Sequence, residues 1–419
     1  MNTSPKASRY RWVICGLLFS ATAINYIDRQ IIGVLKPQLA HEFHWTETNY
    51  GDIVFWFQAA YAIGYLGFGR LIDQIGARLG YAAAVVIWTT AHMAHAVISS
   101  LTGFIFVRIG LGLGESGNFP AGLKAVAEWF PKGERALATG IFNAGSNVGA
   151  IITPLLVPAV TLAFGWRAAF IVTGLLTLAW LAAWLILYRA PQGHPRVNPA
   201  ELALIQADPA DPPTPIAWLR LLRVRETWAY ALGKFLIDPI WWMFLFWLPD
   251  FFAKRHHLDL QHFGPPLAAV YILSDVGSVV GGWMSSRLMR SGRSLNLSRK
   301  LSMLIPALAV LPIVGAAYVE NLWAATALVG LATAAHQAFS CNLYTLPSDV
   351  FPRRAVASVV GIGGAAGAIG GMLMAKYAGF ILDSVGSYTP IFIVAGSVYL
   401  LALLAVQLLC PRYAPVSLD

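Results

Sequence analysis

The sequence predicts an all-helical membrane protein with twelve transmembrane helices in two bundles of six. Three observations lead there. The 419-residue chain is 57% hydrophobic and only 12% charged, about half the charged fraction usual in soluble domains. Apolar runs of roughly 20 residues, long enough to cross a bilayer as a helix, recur from end to end. One long polar segment, residues 189–225, divides those runs evenly.

In the first half the apolar runs place spans at about 12–32, 48–69, 79–98, 102–123, 136–160 and 167–188. The polar segment that follows is rich in proline (Pro191, Pro195, Pro199, Pro209, Pro212, Pro213, Pro215) and basic near its end. It reads as an extended cytosolic linker, not a folded domain. The second half places spans at about 227–252, 265–286, 301–319, 322–346, 355–379 and 388–409. The expected organisation is therefore a bundle over 1–188, a linker over 189–225 and a second bundle over 226–419.

Charge placement orients these spans. Of the 29 Lys and Arg residues, 21 fall in the N-terminal tail, the alternate loops and the C-terminal tail. Four (Lys36, Arg167, Lys254, Arg255) fall on the opposite side, and four (Arg29, Arg108, Lys234, Lys376) within spans. This bias predicts both termini in the cytosol. It also accounts for the net charge of +9 without a nucleic-acid partner. The short basic N-terminus runs into an apolar stretch too long for a cleavable signal peptide. Cys15, Cys341 and Cys410 lack metal or disulfide spacing and read as packing residues. His92 and His95 bring no further ligands, so no metal or other cofactor is expected; both read as interfacial.

The two halves echo one another. At an offset of 221, Phe130, Pro131, Gly140, Gly149 and Gly165 fall on Phe351, Pro352, Gly361, Gly370 and Gly386. Parallel repeats of this kind are a transporter architecture in which the substrate site lies near the bilayer midplane. Glycines at three- to four-residue spacing (Gly110, Gly114, Gly117; Gly145, Gly149; Gly363, Gly367, Gly371) suit backbone-to-backbone helix packing.

Between spans two and three, Gly69 to Arg78 reads G-R-L-I-D-Q-I-G-A-R. Gly69 would let a helix end approach its neighbour, Gly76 would permit a tight turn, and Asp73 would offer a gating ion pair, with Arg78 closing the motif. A solvated turn is the plainer alternative. The counterpart Gly281 to Arg287 lacks the aspartate.

Charges inside apolar spans are costly and usually mark a substrate or proton path. Span one ends Asn25-Tyr26-Ile27-Asp28-Arg29-Gln30. Tyr26 and Arg29, three apart, share a helix face, whereas Asp28 points about 100° away from Arg29. Arg29 suits a carboxylate and Tyr26 a hydroxyl. Asp28 lies roughly 24 Å above the inner end of span one, and Arg108 about 20 Å above the inner end of span four, so the two are expected to pair. Glu115, two turns beyond Arg108, sits near mid-membrane. Burial favours its neutral form and an approaching arginine its ionised form, which suits a proton carrier. A static ion-pair scaffold is the alternative for all four charges.

Weaker candidates complete the set. Tyr61, Trp241 and the polar Asn143, Ser146, Asn147, His336 and Gln337 could line a substrate cavity or simply pack against other helices. Lys234 and Asp238 are one turn apart and are expected to pair, with a bend at Pro239 following.

The Asn-Tyr-Ile-Asp-Arg-Gln run, Arg108 to Glu115 continuing into Pro120-Ala121-Gly122-Leu123-Lys124-Ala125, and the Glu128-Trp129-Phe130-Pro131 turn resemble the anion:cation symporter family of major facilitators. The Gly69–Arg78 segment resembles the major facilitator signature at every fixed position. The resemblance extends over essentially the whole chain and is strongest to bacterial hexuronate transporters, with galactonate and glucarate carriers near. It implies proton symport of a sugar-acid anion across the bacterial inner membrane by alternating access, carried out by a monomer. Tyr26, Arg29 and Tyr61 would contact substrate, Asp28 and Glu115 would carry protons, and Arg108 would tune Asp28. Two features depart from the pattern. Span eleven is Gly/Ala-rich where some relatives carry an amide, and span seven has Lys234 and Asp238 in place of Arg and Glu. Other readings are a carrier of another carboxylate, an exporter of cations, and a sugar-acid receptor that signals without transport. The receptor reading lacks a domain to signal with, and no nucleophile–base cluster supports an enzyme.

Overall fold

The computed structural model describes residues 7–207 and 218–416, apart from the side chains of Leu66, Asp73, Lys132, Ala136, Trp218, Arg353, Arg354 and Ala357. Among the described residues the regular structure is entirely helical, and all twelve spans read from the sequence fall on helical chain. Eight helices are long and apolar enough to cross a membrane by length and composition. The remaining four spans lie in the first 129 residues.

Two compact units emerge from Cα proximity. The first comprises Met1–Ile31 and Ala59–Pro212, the second Ile32–Gln58 and Pro213–Asp419.

The first unit begins with most of α1 (Tyr10–Phe43), whose remaining length belongs to the second unit. Helix α2 (Glu47–Ala94) carries spans two and three in two arms, broken at Gly76. There φ is +82° and ψ 162°, a conformation that L side chains avoid. The tight turn expected at this glycine is therefore present. Helix α3 (Leu101–Glu115) starts at Ser100, whose side chain accepts the Gly103 amide, and stops at Glu115. After Ser116 and Gly117 the chain resumes as α4 (Asn118–Trp129). Helices α5 (Lys132–Phe164) and α6 (Trp166–Leu187) meet at Gly165, φ +85°. In the linker, Asn198 caps a short helix α7 (Pro199–Ile205), with proline in the first turn. This helical turn departs from a purely extended linker; residues 208–217 lie outside the described residues.

Glycine contacts set the spacing within this unit. A Cβ at Gly114 would lie 2.3 Å from the Trp88 nitrogen, so α3 runs backbone-close along the second arm of α2. At Gly145 and Gly149 a Cβ would meet the Phe19 and Ala23 carbonyl oxygens at 2.2 and 2.3 Å, pressing α5 onto α1. Among the described residues a Cβ at Gly69 would meet nothing within 4 Å, so the close approach expected there is not seen.

The second unit holds α8 (Trp218–Leu221), α9 (Arg225–His256), α10 (Gly264–Arg290), α11 (Leu295–Val310), α12 (Leu322–Leu343), α13 (Leu346–Val350), α14 (Arg353–Val385) and α15 (Thr389–Leu409). Residues 32–58 of α1 and α2 belong with them. A Cβ at Gly277 would stand 2.0 Å from the Ala334 carbonyl oxygen, so α10 and α12 touch along their backbones. At three of the α14 glycines side-chain contacts replace the expected backbone ones, whereas a Cβ at Gly370 would stand 2.3 Å from the Phe235 carbonyl oxygen, so α14 and α9 do touch along their backbones there. The sites beside Gly363, Gly367 and Gly371 are filled by Tyr230, Asp238 and Gln58.

Candidate functional site

Four of the candidate residues converge in the first unit around Arg29. Its Nε donates to Glu115 Oε2 at 2.7 Å, and Nη2 donates to Asn25 Oδ1 at 2.9 Å. The guanidinium carbon lies 4.7 Å from the Tyr26 ring centre and 5.0 Å from that of Tyr61. Arg29 and Glu115 are buried, Tyr26 and Tyr61 half-buried. Helix geometry explains the first part, since Asn25, Tyr26 and Arg29 lie within one turn of α1. The end of α3 supplies the rest by delivering Glu115 at a helix break. A planar cation between two aromatic faces, with one edge on a carboxylate, is a ready receptor for a second carboxylate. Arg108, also buried, directs Nη1 toward the Arg29 carbonyl oxygen at 3.5 Å.

Asp28 turns the other way. It receives Trp88 Nε1 at 2.8 Å and Thr177 Oγ1 at 3.0 Å, and its Oδ1 lies 3.2 Å from His92 Nε2. These partners replace the expected Arg108. Similar depth does not bring two side chains together unless their helices also turn them toward each other. The close approach at Gly114 instead sets the second arm of α2 behind Asp28, and α6 adds Thr177. His92 and His95 are correspondingly not interfacial: both are fully buried, His92 against Thr173 Oγ1 at 2.7 Å and His95 stacked on Phe170. Asn25, Trp88, His92 and Thr177 were thus missed as site residues. Two of them carry a signal in the sequence: Asn25, a helical turn before Arg29, and His92, an ionisable group in an apolar run.

Helix α5 presents Asn143, exposed, and Asn147, half-buried. Buried Ser146 donates to the Asn143 carbonyl at 2.7 Å. Because Gly149 rests against the Tyr26 Cβ, this polar strip runs beside α1 near Tyr26.

The second unit gathers the other candidates. Trp241 and His336 stack at 5.4 Å with an 11° interplanar angle, and His336 Nδ1 meets the Tyr399 hydroxyl at 2.7 Å. Gln337 follows, half-buried. Lys234 pairs with Asp238 at 2.7 Å, as expected, and reaches the Tyr344 hydroxyl.

The charge pattern places Lys36 in an outer loop. Because α1 continues to Phe43, it is instead a buried cation bonded to Glu47 at 2.5 Å and Asp250 at 2.8 Å. Lys254 joins the same two carboxylates, and Tyr388 donates to Asp250. Lys376 pairs with Asp52, while Asp383 accepts the amides of Glu47 and Thr48 at 2.9 and 2.7 Å, capping α2.

In the signature segment, exposed Arg78 donates to the Leu185 carbonyl at 2.5 Å, and Trp184 Nε1 donates to the Arg78 carbonyl at 3.0 Å. That ties the motif to α6. The Asp73 side chain lies outside the described residues.

Comparison with known proteins adds the family context. The Major Facilitator Superfamily model matches residues 18–375. A hexuronate transporter of Escherichia coli K12 is 32% identical over 407 residues, covering 96% of this chain and 94% of its own. A galacturonate transporter of Dickeya chrysanthemi is 32% identical over 310 residues, covering 72% of this chain and 90% of its own. Among solved structures, a bacterial homologue of the human lysosomal transporter Spinster, in an inward-facing and occupied conformation, superposes with a TM-score of 0.73 over 97% of each chain. At 17% identity, that likeness speaks to fold alone.

Proposed function

The chain belongs to the major facilitator superfamily, and on that premise we propose that it imports a sugar-acid anion together with a proton. It is a multi-pass membrane transporter and not an enzyme. The proposed substrate class is a hexuronate such as glucuronate or galacturonate, in keeping with the names of its relatives. The proposed setting is the bacterial inner membrane, with both termini cytosolic and a monomer as the working unit. The six-helix halves, 1–188 and 226–419, would alternate access through the linker 189–225. Asp73 and Arg78 would take part in gating.

One observation carries this reading: the buried Arg29 guanidinium is held by Glu115 at 2.7 Å between Tyr26 and Tyr61. A substrate carboxylate needs the same guanidinium. It can take it most readily when Glu115 gives up its claim by accepting a proton, so anion binding and protonation are linked. Ring hydroxyls of the sugar would meet Tyr26, Tyr61, Asn143, Ser146 and Asn147. Trp241, His336 and Gln337 would serve as further contacts. Asp28 is the second proton-carrying carboxylate, and Arg108 the neighbouring cation that tunes the pair of sites.

The test is uptake of radiolabelled glucuronate into proteoliposomes with and without an inward proton gradient. Gradient-driven accumulation by wild type, lost in Glu115→Gln with counterflow exchange retained, is the expected result. Binding without uptake under either condition would favour a receptor. No binding of any hexuronate would overturn the substrate assignment and turn attention to aldonates.

A further inference from the structure

Outside the Arg29 centre, the first unit buries a second ionisable group that the transport reading leaves unused. His92 and Asp28 are both fully enclosed, with Nε2 3.2 Å from Oδ1. The hydrogen bonds around them restrict where protons can sit. Where Thr173 Oγ1 donates to the Ala169 carbonyl at 3.0 Å, it accepts from His92 Nε2, 2.7 Å away. In that arrangement His92 carries its hydrogen on Nε2, with Asp28 Oδ1 3.2 Å from the same nitrogen. Asp28 Oδ2 is already engaged by Trp88 and Thr177. Among the described residues Oδ1 has no hydrogen-bond partner in this arrangement, so the Nε2–H points toward Thr173.

We propose that His92 is a positioning residue for the Asp28 proton site, its single Nε2–H moving between Thr173 and Asp28 as Asp28 gains and loses its proton. When Asp28 is protonated, the proton occupies Oδ1 and the His92 N–H points to Thr173. When that proton leaves along the transport path, the N–H turns to Oδ1 and takes its place as donor. No bond to the ring nitrogen breaks, and the imidazole stays neutral in both states. Among the described residues, the charged and titratable groups facing His92 are Asp28 from α1, Arg108 from α3 and His95 from its own arm of α2, while α6 presents Thr173 and Phe170. This inference rests on the proton-coupled reading given above.

Two variants test it, each checked first for a folded carrier by counterflow exchange. In His92→Phe the donor is lost, so the ionised carboxylate loses support and the pH midpoint of gradient-driven uptake moves about one unit toward alkaline. His92→Gln, whose amide N–H reaches the same place, restores most of that shift. A profile unmoved in His92→Phe, or left equally shifted in His92→Gln, would overturn the proposal. The protonated-carboxyl infrared band that disappears in Asp28→Asn gives a second readout without substrate. Its pH titration should shift in the same pattern. If wild type fails to transport glucuronate yet this band still responds to His92, the substrate reading has failed and the positioning role stands.

Discussion

Glu115→Gln should bind substrate more tightly than wild type while losing the ability to concentrate it. In the structure the Glu115 carboxylate occupies Arg29 Nε at 2.7 Å. An incoming anion must displace a charge-assisted hydrogen bond worth about 1.5–3 kcal/mol. A neutral amide competes far less well, so affinity at neutral pH should rise roughly 10- to 100-fold. The sign of the pH dependence follows. In wild type, affinity should fall as pH rises if ionised Glu115 competes for the guanidinium, whereas the sugar carboxylate stays ionised from about pH 5.5 to 8. In Glu115→Gln the affinity should be flat over that range. Removing the charge also leaves a buried arginine without its anion, a defect that costs about 3–5 kcal/mol when a buried pair is broken. The variant should therefore unfold at lower temperature and regain more stability than wild type on adding glucuronate. Scintillation-proximity binding across pH, with thermal unfolding in parallel, measures both quantities. An affinity equal to wild type with the same pH slope would show that Glu115 and substrate do not share Arg29.

Arg29→Lys keeps the charge but loses the planar fork that spans Glu115 and Asn25; exchange should fall at least tenfold, measured by counterflow. In Gly277→Ala the new Cβ would stand 2.0 Å from the Ala334 carbonyl, so the variant should lose about 1–3 kcal/mol, read as a lower unfolding temperature. Gly282→Ala, with nothing within 4 Å among the described residues, is the control and should be neutral or slightly stabilising. Lys36→Met leaves Glu47 and Asp250 sharing Lys254 alone, and should lower thermal stability by about 3 kcal/mol. Adding Asp250→Asn to that variant should recover part of the loss. Asp383→Ala removes the cap on α2 and should cost about 1 kcal/mol by the same assay.

Local pattern in the chain foretold local structure well. The Tyr26–Arg29 face and the Lys234–Asp238 pair follow from helical spacing, and the turn at Gly76 from a glycine between two apolar runs. Long-range pairing was harder to read. Asp28 and Arg108 share a depth, but depth fixes one coordinate and leaves the rotation of each helix free. That rotation is set by contacts such as Gly114 against Trp88 and Gly149 against Ala23. Trp88, Thr173 and Thr177 look like packing residues in any apolar run. They acquire meaning only when α2 and α6 close around Asp28. Helix ends misled in a related way. Lys36 and His95 stand where an average span would surface, yet α1 runs on to Phe43 and His95 turns inward against Phe170.

The glycine-rich eleventh span shows how a residue type can be correctly noticed and its use misread. Small residues every four positions suggested backbone contact, and the absence of an amide suggested a lost polar contact. The structure uses the space for polar side chains brought from elsewhere. Asp238 Oδ2 would lie 2.1 Å from a Cβ at Gly367, and Gln58 Oε1 2.0 Å from one at Gly371. Gln58 is nearly inaccessible to solvent, so an amide does stand beside this span, donated by α2. The Asp238 carboxylate, in turn, holds Lys234. A side chain on α14 at either position would displace these groups, so the glycines and the polar residues of α2 and α9 form one arrangement. Deleting a side chain from one helix to admit a polar group from another keeps the chemistry while changing its anchor. Polar groups carried on α9 move with α9, so the Lys234–Asp238 pair and the glycines of α14 beside it are held in place by how α9 packs on α14.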